Sequence, residues 1–415
     1  MALLSALKHK NFTKLYIAGL TSELGSFLTE TALTLLLFDL SQKNTALLGI
    51  MRALFLVSMT AGNILGGPLG EKYNRKNILI ATEIFRIPAI ILLFFIQTPI
   101  SIILCITFIA FFTGVFRPTR QTLVNDVVPP AAMRNANSLF ASTFAIMHIT
   151  GPFFGALLYS TYNGVNEVLI FDFATYILGI YLLRKITWKA PVKHQKMSLK
   201  KDFQEGLSYV SKRLDVRAIL INNCIAGFNI GILISLLIPH TTETLGWSKS
   251  MYGVLMAAFG FGGLIGGTLA STNIIKIHLG KLIILLLFLE SIFFIGFNFS
   301  DWFLLTTTLF FIWGVSVFLR VSNQLNFFST TVETQYLNRV MSLSEMSFIT
   351  PNILGSAIVG ALGNLYSTTT LLSIASASFF IALVVRMFMK DTQVLKEASL
   401  EQVQREAFIE NSIGL

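Results

Sequence analysis

Charge is scarce in this chain and cysteine nearly absent. Of 415 residues, 13% are Asp, Glu, Lys or Arg, 2 are cysteine and 5 are histidine. A soluble domain carries roughly 25% charged residues, so this chain has too few to clothe a water-exposed surface. Cys105 and Cys224 both fall in apolar sequence, outside any CxxC or His–Cys spacing. That excludes a disulfide framework and a zinc module, and both read as small core residues. No phosphate-binding loop, nucleophile elbow or clustered acid–base set is found, so no metal, no cofactor and no enzyme active site are expected. Short alternating segments of about 10 residues are also missing, which argues against an outer-membrane barrel.

What is abundant is apolar sequence, 54% of the chain with 37 Phe. A run of about 20 apolar residues crosses a ~30 Å hydrocarbon core. Such runs are predicted near 14–40, 47–70, 78–97, 100–120, 138–159, 167–184, 217–240, 252–271, 281–298, 302–320, 343–365 and 368–388. Lipid offers their backbone no hydrogen-bond partner, so each must be helical. The fold class expected is an all-α integral membrane protein of twelve transmembrane helices. The basic start, "MALLSALKHKNFTKLY", leads into an apolar stretch too long for a signal-peptide core and shows no small-residue cleavage site; it reads as a retained first span.

The net charge of +10 is placed on one side. With both termini inside, of 31 Lys and Arg only Lys43 and Lys249 fall in outward loops, whereas the 184–217 connection holds ten. This asymmetry orients the chain with both termini in the cytoplasm. It predicts a multi-pass protein with the bilayer as partner. Nucleic acid is excluded, because no connection is large enough to fold a soluble basic face.

The basic connection divides the chain. The expected organisation is a six-helix bundle over 1–183, a linker over 184–216, a second bundle over 217–388 and a tail over 389–415, frayed or disordered. In the linker, Leu199, Phe203, Leu207, Val210 and Leu214 recur at helical spacing, with Lys200, Lys201, Lys212 and Arg213 off that stripe. This predicts a short amphipathic helix on the cytoplasmic membrane surface. The halves echo each other. "GNILGGPLG" at 62–70 returns as "GGLIGGTLA" at 262–270, and Gly114 and Arg120 return as Gly314 and Arg320, each 200 residues on. Pro152 and Gly155 have counterparts in Pro351 and Gly355. Two similar bundles place a cavity at their interface, suited to alternating access.

The stretch "GGPLGEKYNRKNIL" resembles the signature loop between helices two and three of the major facilitator superfamily. Gly67, Leu69, Arg75 and Lys76 match it, whereas Glu71, Lys72 and Asn74 stand for the usual Asp, Arg and Gly. Asn is the tolerable replacement because it accepts a left-handed backbone. The resemblance implies two pseudo-symmetric six-helix bundles and a conformational latch built from Gly67, Glu71, Arg75, Lys76 and Asp126. Gly66, Gly67 and Gly70 are expected to let a neighbouring helix approach closely. Gly151, Pro152 and Gly155 in "ITGPFFGALLY" resemble the Gly-Pro signature of proton-driven exporters. "DFQEGLSYVSKRLDVRAIL", "FRPTRQTLVNDVVP" and "LNRVMSL" resemble the branch of bacterial macrolide-efflux proteins and the enterobactin exporter.

A charge at the bilayer centre costs at least about 2.5–3.5 kcal/mol and so needs a partner, a cavity or a task. Glu23 and Glu30, seven residues apart, share one face of the first span. They are the first candidates for proton coupling, Glu30 ahead of Glu23, with Asp172 third. Glu83 and Arg86 stand at i and i+3 and read as an intramembrane pair. Arg52, Asp172 and Glu290 read as isolated. Arg117 is assigned to a network and Arg120 to an anchor at the cytoplasmic end of the fourth span. His148 reads as packing. The function expected is export of an amphipathic small molecule, a drug or a siderophore-like metabolite, in exchange for protons by a monomer. An importer or uniporter of the same fold stays open. A single cysteine at Lys189 in a background lacking Cys105 and Cys224 should react with impermeant maleimide only from the cytoplasmic side; labelling from outside would reverse the topology.

Overall fold

Polar backbone that cannot reach water must close on itself, and this chain does so in helices. The computed structural model describes residues 3–187, 199–271, 279–390, 393–395 and 397. Those residues form thirteen α-helices and no strand: α1 (Lys10–Leu40), α2 (Thr45–Lys72), α3 (Arg75–Phe95), α4 (Pro99–Val127), α5 (Pro130–Tyr162), α6 (Asn166–Arg184), α7 (Leu199–Lys212), α8 (Leu214–Pro239), α9 (Lys249–Ser271), α10 (Leu279–Phe299), α11 (Phe303–Thr331), α12 (Thr334–Leu362) and α13 (Thr368–Phe388). Ten are long and apolar enough to cross a membrane. Two more, α1 and α5, have the length, at 31 and 33 residues, but carry more polar side chains. The remaining one, α7, has 14 residues.

The chain divides into two units. One comprises Met1–Met197 with Leu237–Ala257, the other Ser198–Leu236 with Ala258–Leu415. Inside the first, α2 and α4 cross backbone to backbone. A Cβ on Gly62 would overlap the Phe111 carbonyl, and one on Gly114 would overlap that of Met59. In the second unit α9 and α11 repeat the crossing 200 residues on: Gly262 meets the Phe311 carbonyl and Gly314 that of Phe259. Gly66 and Gly266 press on Val115 and Val315. The α1–α5 contact also recurs, with Gly155 against the Leu28 carbonyl and Gly355 against that of Phe228. Bare glycine lets such pairs approach closely enough for dispersion between backbones to replace side-chain packing.

Gly67 does not take part. Nothing lies within 4 Å of where its Cβ would be, and Gly70 has only ordinary contacts from 3.7 Å. The expected close approach therefore belongs to Gly62 and Gly66, one turn apart; Gly67 is rotated about 100° off that face. The stripe expected on α7 is also divided. Its Gly206 and Val210 side docks on α12: Gly206 faces Arg339 and Leu343, Glu205 pairs with Arg339 at 2.9 Å, and Tyr209 stacks on Tyr336 at 4.5 Å. Phe203 and Leu207 stay 45% and 52% exposed. Of the linker, residues 188–198 and the side chains of Leu199, Lys200 and Lys201 lie outside the described part, as does the tail beyond 397.

Replacing Gly114 by Val should lower the thermal unfolding midpoint in detergent by several degrees, since overpacking costs roughly 1–3 kcal/mol. Gly67→Ala should leave it within error; the reverse order would refute this account of the crossing.

Candidate functional site

Residues i, i+4 and i+7 of a helix share a face, and α1 uses that spacing to bring Glu23, Phe27 and Glu30 to one cleft. Phe55 of α2 and Arg117 of α4 line it as well, with Ile106, Ile109 and Thr113 supplying a mostly apolar wall. Glu30 is not alone there: its Oε1 accepts from Arg52 Nη1 at 2.8 Å, and the two side chains are 25% and 23% exposed. The Arg52 guanidinium also lies over the Phe55 ring at 5.8 Å. Arg52 was expected to be isolated; the rotation of α2 against α1 supplies its partner.

Glu23 is buried. Its Oε1 stands 3.0 Å from Arg120 Nη1 and 3.4 Å from Arg117 Nε. Arg120 is itself buried, with its guanidinium over the rings of Phe140 at 4.7 Å and Phe116 at 5.8 Å. Expected as an anchor at the membrane surface, Arg120 is instead enclosed beside Glu23. Span four was ended at 120, but α4 continues to Val127, which leaves Arg120 two turns inside.

Behind this lies a second layer. Ser22 Oγ donates to Glu83 Oε2 at 3.2 Å and accepts from Arg86 Nη1 at 3.0 Å, while the direct Glu83–Arg86 distance is 3.5 Å. Arg86 lies over Phe116 at 5.2 Å and Tyr176 at 5.5 Å. Asp172 of α6 is fully buried and accepts from Tyr176 OH at 3.1 Å and Thr175 Oγ1 at 3.3 Å. Charges this deep are tolerated only when paired and hydrogen-bonded. Glu23, Glu83, Arg86, Arg120 and Asp172 thus form one continuous network drawn from α1, α3, α4 and α6.

At the signature turn, Arg75 pairs with Asp126 and its Nε donates to the Gly70 carbonyl at 3.0 Å. Lys76 Nζ donates to the carbonyls of Arg184 and Ile186 at 2.9 and 2.7 Å, placing a cation on the exposed C-terminus of α6, where the helix dipole favours it. Asn74 is not left-handed. With φ of −61° it caps α3, its side chain accepting from the Asn77 amide at 3.3 Å, the ordinary task of Asn before a helix. The side chains of Glu71 and His148 lie outside the described part. Gly151 of α5 faces the Phe27 side chain, so the helix that carries Gly151, Pro152 and Gly155 backs the cleft wall.

The second unit holds groups that sequence reasoning missed or left single. Arg320 Nε and Nη2 reach Glu290 Oε1 and Oε2 at 2.8 and 3.3 Å, both residues buried; Glu290, expected to be isolated, is bidentately held. Asn223 and Gln324 converge on Ser344 Oγ at 3.0 and 3.1 Å, and Arg386 Nε donates to Asn222 Oδ1 at 3.1 Å. The signal was present in "INNCIAGFN", where amides interrupt an apolar span.

Residues 1–413 match a family model described as "Transmembrane secretion effector". Among curated proteins, the chain is 26% identical over 287 residues to the uncharacterized MFS-type transporter YkuC of Bacillus subtilis (strain 168), covering 65% of this chain and 66% of that one. It is 24% identical over 141 residues to a Na(+), Li(+), K(+)/H(+) antiporter of Planococcus maritimus, 33% of each chain. The chain therefore spans just under two thirds of the first relative and a third of the second. Among solved structures it superposes on a bacterial homologue of the iron transporter ferroportin in its inward-facing state, with a TM-score of 0.72 and 10% identity over 92% of this chain and 98% of that one.

Removing Glu290 alone strands a buried guanidinium, at a cost of about 3–5 kcal/mol, whereas replacing both partners by apolar groups restores much of that. Glu290→Ala should therefore melt well below the parent and the Glu290→Leu/Arg320→Met double variant near it. A double variant no better than the single one would contradict this.

Proposed function

We infer function from family: the chain belongs to the transmembrane secretion effector family of major facilitator transporters, and we propose that it expels an amphipathic small organic molecule from the cytoplasm in exchange for protons. It is a membrane transporter rather than an enzyme. One observation carries the reading: Glu23 and Glu30 face a single cleft, each held by arginine from a different helix.

A carboxylate in low dielectric must be ion-paired or neutralised. A proton arriving at Glu30 discharges it and frees Arg52; loss of the proton restores the pair. Proton binding is thereby tied to a side-chain rearrangement at the cleft wall, and Glu23 with Arg117 provides a second such step deeper in. The rings of Phe27 and Phe55 with the isoleucines of α4 suit the apolar body of a ligand, and the charged groups orient its polar end. Substrates of this description include macrolide-like drugs and siderophore-like metabolites.

The remaining residues divide by role. Arg75–Asp126, with Gly67, Glu71 and Lys76, acts as the latch at the signature turn. Glu83–Arg86 is structural, and Gly151, Pro152 and Gly155 set the fit of α5 against α1. The protein works as a monomer in a bacterial cytoplasmic membrane with both termini inside.

In proteoliposomes, an imposed pH gradient should drive flux of a macrolide or a catecholate siderophore probe. Glu30→Gln should cut that flux about tenfold while leaving probe binding measurable. Proton-coupled flux that persists undiminished in the Glu23→Gln/Glu30→Gln double variant would remove the assignment.

A further inference from the structure

We propose that the basic cluster where α6 ends, built from Lys14, Lys76, Arg184 and Lys185, binds the phosphodiester headgroup of an anionic glycerophospholipid such as phosphatidylglycerol, with the acyl chains lying along the outer face of α6. This goes beyond the transport reading and does not depend on it.

Charge without counter-charge is the first argument. Lys14 comes from α1, Lys76 from α3, and Arg184 and Lys185 from the end of α6. Arg184 and Lys185 are exposed, and the two lysines from the other helices are half-buried. Among the described residues, none of the four forms a salt bridge with a carboxylate. The rule elsewhere is the opposite: Arg75 holds Asp126, Arg213 holds Asp215 and Arg339 holds Glu205. Four positive charges therefore stand together without an acidic partner from the protein. Their mutual repulsion is relieved by any anion that joins them.

The second argument is that the cluster is held in place. Lys14 Nζ donates to the Lys185 carbonyl at 2.6 Å, and Lys76 Nζ to those of Arg184 and Ile186 at 2.9 and 2.7 Å. Asn11 Nδ2 donates to the Thr187 carbonyl at 2.8 Å and Asn11 Oδ1 accepts from the Thr187 amide at 3.3 Å. The chain leaving α6 is thus pinned to α1 and α3, with its carbonyls spent on the lysines. An ammonium carries three N–H donors. These carbonyls take one from Lys14 and two from Lys76, so both lysines keep a donor for a phosphate oxygen. Helix capping leaves the side chains of Arg184 and Lys185 unexplained. Lys185 Nζ donates to the Tyr181 hydroxyl and lies over that ring at 4.1 Å. The Arg184 guanidinium offers the planar fork of donors that suits a phosphate.

The third argument selects a lipid over a soluble anion. Ile170, Ile177, Tyr181 and Arg184 follow one another at spacings of seven, four and three residues, which puts them on one face of α6. Ile170, Ile177 and Tyr181 are all exposed, so this face is turned away from the bundle. In a bilayer it meets acyl chains, and Arg184, the last residue of α6, stands where those chains join their headgroups. Tyrosine beside it is the aromatic residue favoured at that depth. An apolar stripe running into an uncompensated basic cluster between helix ends has the form of an anionic phospholipid. A free phosphate would use only the cluster and leave the stripe unmatched.

The test is native mass spectrometry of the purified, delipidated full-length protein in a neutral detergent, titrated with dioleoyl phosphatidylglycerol or, as the neutral match, dioleoyl phosphatidylcholine. Saturable retention of phosphatidylglycerol at least tenfold tighter than of phosphatidylcholine is expected. Arg184→Gln/Lys185→Gln, which leaves the carbonyl contacts of Lys14 and Lys76 in place, should weaken it about tenfold. Lys212→Gln/Lys390→Gln removes the same charge from exposed positions outside the cluster and should leave it unchanged. Excess glycerol 3-phosphate should not displace the lipid. Equal retention of the two lipids overturns the proposal, as does retention unaltered in Arg184→Gln/Lys185→Gln or equally weakened in Lys212→Gln/Lys390→Gln. Displacement by glycerol 3-phosphate at the concentration of the lipid would make this a site for a soluble phosphate ester and overturn the lipid assignment.

Discussion

The governing constraint is that ionic groups withdrawn from water must neutralise one another within a few ångströms. In the first unit Arg86 stands at the centre of that requirement. Its guanidinium is flanked by the rings of Phe116 and Tyr176 and bridged through Ser22 to Glu83. Phe116 also carries Arg120 on its ring, and Arg120 holds Glu23. A change of charge at Glu23, which lines the cleft, therefore alters the field at residues two helices away. The low dielectric that makes each such charge expensive also makes their mutual attraction strong.

Such a network needs a frame whose helices do not drift. The glycine crossings supply it. Where Gly62 meets the Phe111 carbonyl and Gly114 that of Met59, two backbones touch and little side-chain volume is left to rearrange. Gly155 fixes α5 to α1 in the same way, one turn from the face that bears Phe27 and Glu30. Close-packed interiors shift between discrete arrangements more readily than they deform. A frame of this kind holds the helices in fixed register around the ion pairs.

Much of this was legible in the primary structure because it rests on periodicity. Hydrophobic runs gave the spans. The seven-residue spacing of Glu23 and Glu30 gave their common face, and the glycines recurring at an offset of 200 gave the repeated crossing. What stayed hidden depends on rotation between helices, which no spacing along one helix encodes. Arg52 had no visible partner until α2 was seen to turn it toward Glu30. Gly66 and Gly67 are equivalent in a string of letters, but only Gly66 faces α4. Arg120 reads as a surface anchor if the fourth span ends with it, whereas α4 continues to Val127. The α7 stripe reads as one face, and yet docking on α12 claims Val210 and leaves Phe203 and Leu207 outside.

The makeup of the first unit has a consequence for synthesis. It includes Leu237–Ala257 as well as the opening 197 residues, and Lys249 from that later stretch binds Asp39 at the end of α1. Tyr159 reaches the same carboxylate. At ribosomal speeds of about 5–20 residues per second, roughly 3 to 12 s separate residue 197 from residue 257. Through that interval Asp39 has its tyrosine but not its lysine. The first unit is thus completed only after the stretch 198–236, which belongs to the other unit, has been made.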